Sequence, residues 1–101
     1  MLDDECTAIA VTDPFAKRLM TQYIDRRVKE FKLLNSALVK GDFAAIAQTA
    51  HKLYGSGSAY GLDEITRIGG ALEEAAKSRK FSEVAELIKE LENFVLHLNL
   101  A

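Results

Sequence analysis

Apolar residues recur at helical spacing in four stretches of this chain, and glycine or charged residues separate the stretches. From Asp13-Pro14 onward, Phe15, Leu19, Tyr23, Val28, Phe31, Leu34 and Leu38 return every three to five positions until Lys40-Gly41. That pattern predicts one long helix, or two with a bend. Asp13 can accept a hydrogen bond from an orphan backbone N–H, and proline at the first helical position forfeits only a donor that has no intrahelical partner. Asp42 can cap a second helix whose inward face is Phe43, Ile46, Ala50, Leu53 and Gly57, closed by Tyr60-Gly61. Asp63 is placed at the cap of a third, with Ile65, Ile68, Leu72 and Ala75 inward and Glu64, Arg67, Glu73, Glu74 and Lys77 outward. After the polar link Lys77-Ser78-Arg79-Lys80, Ser82-Glu83 starts a fourth, carrying Val84, Leu87, Leu91, Phe94 and Leu98 inward. No stretch carries a competing strand signal. Links of a few residues force consecutive helices to run antiparallel. The expected fold is therefore all-α, an antiparallel up-down four-helix bundle over residues 13–101 with a short N-terminal extension over 1–12. Within that extension Ala8-Ile9-Ala10-Val11 is apolar enough to lie across one end of the bundle.

Composition narrows the partners. At 101 residues the chain holds one domain and one core, and its 49% hydrophobic and 28% charged residues are a globular balance. A net charge of -2 offers no basic footprint for nucleic acid. No apolar run approaches the ~20 residues that cross a bilayer, so neither nucleic acid nor membrane is expected as a partner. The acidic start, Met-Leu-Asp-Asp-Glu-Cys, is the opposite of a basic secretory leader, and Cys6 alone makes no internal disulfide. Both point to the cytoplasm, and the start at Met1 suggests a free-standing protein.

Two histidines remain as candidate chemistry. At ~100° per residue, His51 lies about 120° from the inward stripe of its helix and faces solvent. Its neighbours on that face, Ala44, Gln48, Gly55 and Ser58, are small or slender, and Ala47 is close by. Glycine inside a helix costs about 1 kcal/mol relative to alanine, which makes Gly55 a candidate for close approach by a partner. An exposed histidine is also common on surfaces that do nothing. His97 sits near the C-terminus of the fourth helix, where a cation is favoured by the dipole, and is assigned no function. No nucleotide-binding glycine loop, no metal-ligand spacing and no Ser-His-Asp order is present, so no metal site is expected.

The run Ala50-His51-Lys52-Leu53-Tyr54-Gly55-Ser56-Gly57-Ser58-Ala59-Tyr60-Gly61-Leu62, followed by Leu72-Glu73, resembles the signature of the histidine-containing phosphotransfer (HPt) family. In that family the histidine is followed by an apolar residue at two, glycine at four and glycine at ten, with a Leu-Glu pair later. Leu53, Gly55, Gly61 and Leu72-Glu73 occupy those places. The similarity runs from about Asp13 to Leu98. It implies a phosphorelay intermediate that accepts a phosphoryl group on His51 from a receiver aspartyl phosphate, or from a histidine kinase system, and passes it to another receiver aspartate. The implied partners are response-regulator receiver domains and a hybrid histidine kinase. The chain would be a carrier without kinase activity of its own, a monomer with no cofactor, the Mg²⁺ being on the receiver.

The chain departs from the family where it has Tyr54, three residues after the histidine, in place of a lysine that helps neutralise the phosphoryl group. Tyr54 can offer a hydroxyl but no charge, and Lys52, about 100° round the helix, has a stem long enough to return toward the site. Gln48 and Ser58 are placed as further phosphoryl-site support, and Ala44, Ala47 and Gly55 as docking positions. Two alternatives stay open: a docking module that binds receivers or a kinase without transferring phosphate, and a purely structural bundle.

Overall fold

The computed structural model describes residues 8–9 and 13–100. Its elements, in order, are β1 (Ala8–Ile9), α1 (Pro14–Lys40), α2 (Phe43–Ser56), a single 3₁₀ turn (Ser58–Tyr60), α3 (Asp63–Lys77), α4 (Phe81–Leu96) and β2 (Asn99–Leu100). The four helices form the expected bundle. Asp13 accepts from the Phe15 N–H at 3.2 Å and Asp42 from the Ala45 N–H at 3.1 Å, so both expected caps form. Gly41 ends α1 in the left-handed conformation that glycine adopts at least cost, with φ 70°.

The first helix is single and unbroken, 27 residues long. At 1.5 Å per residue it measures about 40 Å, which matches the 41 Å long axis of the whole molecule. The other three helices are little more than half that length, so the first turns of α1 project past them. Residues 13–19 are accordingly all exposed.

The buried face of α1 differs from the expected one. Phe15 is 63% exposed, and Leu19 and Val28 are also on the surface. The buried stripe is Met20, Tyr23, Arg27, Leu34, Ala37 and Leu38, with Ile24 and Phe31 packed beside it. Arg27, only 6% exposed, fills the place expected for Val28. The guanidinium is held 4.3 Å over the Tyr23 ring and donates to Glu30 at 3.0 Å. Tyr23 in turn stacks on Tyr60 with centroids 4.1 Å apart, and its hydroxyl pairs with the Ser56 hydroxyl at 2.8 Å. A delocalised cation can be buried when an aromatic face and a carboxylate replace its water. Replacing it with alanine strips one face of this stack and leaves Glu30 without its partner. Arg27→Ala is expected to lower stability by about 2 kcal/mol, checked by urea denaturation at constant slope.

The inward stripes of α2 and α3 agree with expectation: Ile46, Ala50, Leu53, Ile65, Ile68 and Leu72 have no accessible surface. In α4 the deepest positions are Val84, Ile88, Leu91 and Val95, while Leu87, Phe94 and Leu98 pack at the margin of the core. Three element boundaries shift. Asp63 is the first residue of α3 rather than its cap, which is Leu62, and its carboxylate still sits where the helix dipole favours a negative charge. The fourth helix begins at Phe81, not Ser82. The second ends at Ser56, and Ser58 belongs to the 3₁₀ turn, which closes at Gly61 with φ 75°.

Against the expectation of no strand, β1 pairs in parallel with β2, Ala8 opposite Asn99 and Ile9 opposite Leu100. Backbone donors and acceptors outside a helix need partners, and here two short segments flanking the bundle supply each other. Of the expected extension over 1–12, only Ala8 and Ile9 are described; Cys6 lies outside the described residues.

Candidate functional site

Close contact between α2 and α3 builds the site. A Cβ at Gly69 would lie 2.6 Å from the Tyr54 backbone nitrogen and 3.0 Å from the Ala50 carbonyl oxygen, so only glycine lets the two backbones meet there. Gly57 repeats the device at the end of α2, where a Cβ would lie 2.6 Å from the Thr66 nitrogen. One turn beyond Gly69 along α3, the closeness brings Glu73 beside His51.

His51 stands on the outer face of α2 with 71% of its side chain exposed. Its Nδ1 lies 3.2 Å and 3.1 Å from the two carboxylate oxygens of Glu73. An ionised carboxylate only accepts, so Nδ1 carries the proton and donates it, which leaves Nε2 with its lone pair directed away from Glu73. The Lys77 ammonium sits 3.1 Å from the same Oε2 atom, one helical turn further on. These two donors hold the Glu73 carboxyl below the usual carboxylate range, Lys77 contributing more than His51.

A depressed carboxyl pKa means that the ionised form, and with it the Nδ1 contact, is complete above the ordinary carboxylate range. The contact is lost only as the pH falls through the lowered value. Lys77→Ala should move the Glu73 titration back up by more than His51→Gln does, as followed by NMR of the side-chain carboxyl carbon.

Ala44, Ala47, Gln48, His51, Lys52, Glu73 and Lys77 together line an open depression of about 510 Å³. Thus five of the positions singled out in the sequence, Ala44, Ala47, Gln48, His51 and Lys52, come together. Tyr54, 54% exposed, lies on the other flank, its ring close over Gly70. With Gly70, Glu73, Glu74 and Lys77 it lines a second crevice of about 170 Å³. Gly55 faces open space: a Cβ there would meet nothing within 4 Å. No internal packing accounts for its small size.

Ser58 does not join the group. Both its backbone N–H, at 2.8 Å, and its hydroxyl, at 3.0 Å, are engaged with the Thr66 hydroxyl. The placement of Ser58 on the exposed face of the second helix assumed that the helix continued to Gly61, which it does not. Lys77 was read only as solvent-facing, and Glu73 as solvent-facing and as part of the Leu72-Glu73 pair of the resemblance, with no contact to His51 expected of either. The signal that could have found them is the glycine pair Gly69-Gly70, which marks where α3 comes closest to α2. His97, as expected, serves its own helix: the ring Nδ1 is 2.7 Å from the Asn93 carbonyl oxygen.

The arrangement is a nucleophilic ring nitrogen in a clearing, with its tautomer fixed by a carboxylate and cations at the rim. Among the described residues no group of histidine, cysteine and carboxylate side chains could hold a metal ion, and no helix is long and apolar enough to cross a membrane. A family model for the Hpt domain matches residues 18–99. The chain belongs to the Hpt domain family.

No curated protein and no solved structure matches it significantly. As an Hpt domain it takes part in phosphotransfer within two-component signalling, in a family of carriers that interact with receiver domains and histidine kinases. The match begins at Arg18, in the second turn of the long helix, and runs past the end of α4, and so includes each residue lining the depression.

Proposed function

We propose that this Hpt domain is a phosphorelay intermediate that takes a phosphoryl group onto Nε2 of His51 from a receiver aspartyl phosphate and returns it to the aspartate of another receiver. The observation that carries this function is the Glu73 contact to Nδ1. An imidazole near neutral pH has an available lone pair without a dedicated base, and the carboxylate selects which nitrogen presents it.

In the transfer, the Nε2 lone pair forms the N–P bond while the P–O bond to the receiver aspartate breaks, and the carboxylate leaves with that electron pair. No proton moves. The ring keeps its proton on Nδ1 and becomes cationic, and Glu73 lies within hydrogen-bonding distance of the charge that develops. This is electrostatic stabilisation by a group already in place. The reverse step uses the same geometry, so a carrier of this kind works in both directions.

Mg²⁺ and the groups that polarise the aspartyl phosphate belong to the receiver in this scheme. Our proposal includes a cytoplasmic monomer that meets receivers by diffusion, and it names Gln48 as a hydrogen-bond donor at the rim of the depression. Ala44, Ala47 and Gly55 keep the convex surface low enough for a receiver aspartate to reach Nε2.

Incubating the protein with a receiver domain carrying labelled aspartyl phosphate tests the function. Appearance of acid-labile, alkali-stable label on this chain is the expected result. Tight binding without label would instead favour a docking module that does not transfer. Gly55→Gln should leave helicity unchanged, since the side chain projects into open space, yet slow transfer by about tenfold or more, because a small misplacement of reacting atoms has large kinetic effects. Stopped-flow or quench measurement against wild type checks it.

A further inference from the structure

A phosphoryl group on His51 brings about two negative charges to a site where the family resemblance expects a lysine and the chain has Tyr54. Two ammonium groups border the depression, Lys52 from α2 and Lys77 from α3. The geometry distinguishes them. The Lys77 ammonium and the His51 Nδ1 each lie 3.1 Å from one and the same oxygen of Glu73. The ammonium is therefore no more than twice that distance from the imidazole. Lys77 also lines the crevice beneath Tyr54, so its side chain reaches both flanks of the histidine. It is 63% exposed, on a flexible four-carbon stem.

We propose that Lys77 is the phosphoryl-binding cation of this site, supplied from the neighbouring helix in place of the position that Tyr54 occupies. This assignment rests on His51 being the phosphoryl carrier. In the resting protein Glu73 holds the ammonium beside the ring. When the N–P bond forms, two new charges appear at once, a cationic ring and a dianionic phosphoryl group. Glu73 then stays with the ring, Lys77 shifts to the phosphoryl oxygens, and each new charge has an opposite partner. Lys52 lacks a comparable anchor: it carries no hydrogen bond or ion pair to another described residue, whereas Lys77 is delivered by the carboxylate that contacts the histidine.

Potassium phosphoramidate tests this without a receiver. The Nε2 lone pair displaces ammonia from phosphorus, the P–N bond of the reagent breaking as the new N–P bond forms, and ³¹P NMR follows phosphohistidine accumulation. Lys77→Ala is expected to slow labelling roughly tenfold or more, as for loss of a charge-assisted hydrogen bond. Lys77→Arg should restore most of the rate, and Lys52→Ala should change it less than twofold. Adding Tyr54→Lys to Lys77→Ala should recover activity, since the new ammonium enters the same crevice.

A lysine that only positioned Glu73 would give Lys77→Ala no further effect once Glu73→Gln is present. Direct contact predicts that the loss persists in the double variant. Wild-type rates in Lys77→Ala, a larger loss in Lys52→Ala, or no added loss in the Glu73→Gln background would each overturn the assignment while leaving His51 as the carrier. Failure of wild-type His51 to take label at all would overturn both.

Discussion

His51→Gln is expected to abolish acid-labile phosphate on this chain while leaving its fold and its affinity for a receiver domain within about twofold of wild type. The side chain is mostly exposed and reaches only Glu73, so its replacement opens no cavity and strands no buried partner. Glutamine keeps a polar group of similar length on the helix and has no ring nitrogen with a lone pair. The loss should therefore fall on chemistry alone, with circular dichroism and the unfolding midpoint unchanged. The other histidine does not substitute, because His97 stands at the C-terminal cap of α4 and is not among the residues that line the depression.

Gly69→Val should have the largest effect on the fold. The added Cβ would meet the backbone nitrogen of Tyr54 and the carbonyl oxygen of Ala50, and neither can turn aside as a side-chain end would. Overpacking against backbone typically costs 1–3 kcal/mol, sometimes more. The gain in helix propensity over glycine offsets only a few tenths. A net loss of about 3 kcal/mol is expected, lowering Tm by about 15 °C for a domain of this size. The variant should also part α2 from α3, withdraw Glu73 from Nδ1, and reduce the transfer rate of whatever fraction remains folded. Gly55→Ala is the control within the same bundle. A Cβ at Gly55 meets nothing, so this exchange should stabilise by about 0.5–1 kcal/mol. Thermal unfolding of the two variants side by side reads both effects.

The bundle was legible in the sequence because three of its helices carry clean stripes, and the caps at Asp13 and Asp42 and the stop at Gly41 are local chemistry. The first helix was legible as a helix but not in its facing. Its apolar residues are spread over more than one side, and an arginine buried against a tyrosine ring cannot be told from a surface arginine by polarity. Phe15 and Leu19 stay exposed where the helix outruns its neighbours, a fact about the lengths of other elements. The pairing of Ala8–Ile9 with Asn99–Leu100 is non-local and leaves no periodic trace in two residues.

At the site, the exposure of His51 and the smallness of Ala44, Ala47 and Gly55 followed from the helical period alone. The contact to Glu73 did not. Residue spacing within α3 says which side chains point outward, but not which outward residue lies in the groove beside α2. That depends on how close the helices come, and closeness is set by Gly69 meeting the backbone at Ala50 and Tyr54. For the same reason Lys52, next to the histidine in sequence, drew notice before Lys77, which is near it in space. Ser58 shows the opposite error, a residue in the right sequence position that leaves the helix face once the chain turns at Gly57.

The most direct measurement is of the phosphorylated protein itself, made by transfer from a phosphorylated receiver and studied by ¹H–³¹P correlation NMR. A phosphoryl group on Nε2 has a protonated carbon on each side, so phosphorus should couple to both ring protons of His51. Coupling to only one of them would place the group on Nδ1 and break the argued role of Glu73. Phosphorus on any residue other than His51 would contradict the carrier function outright.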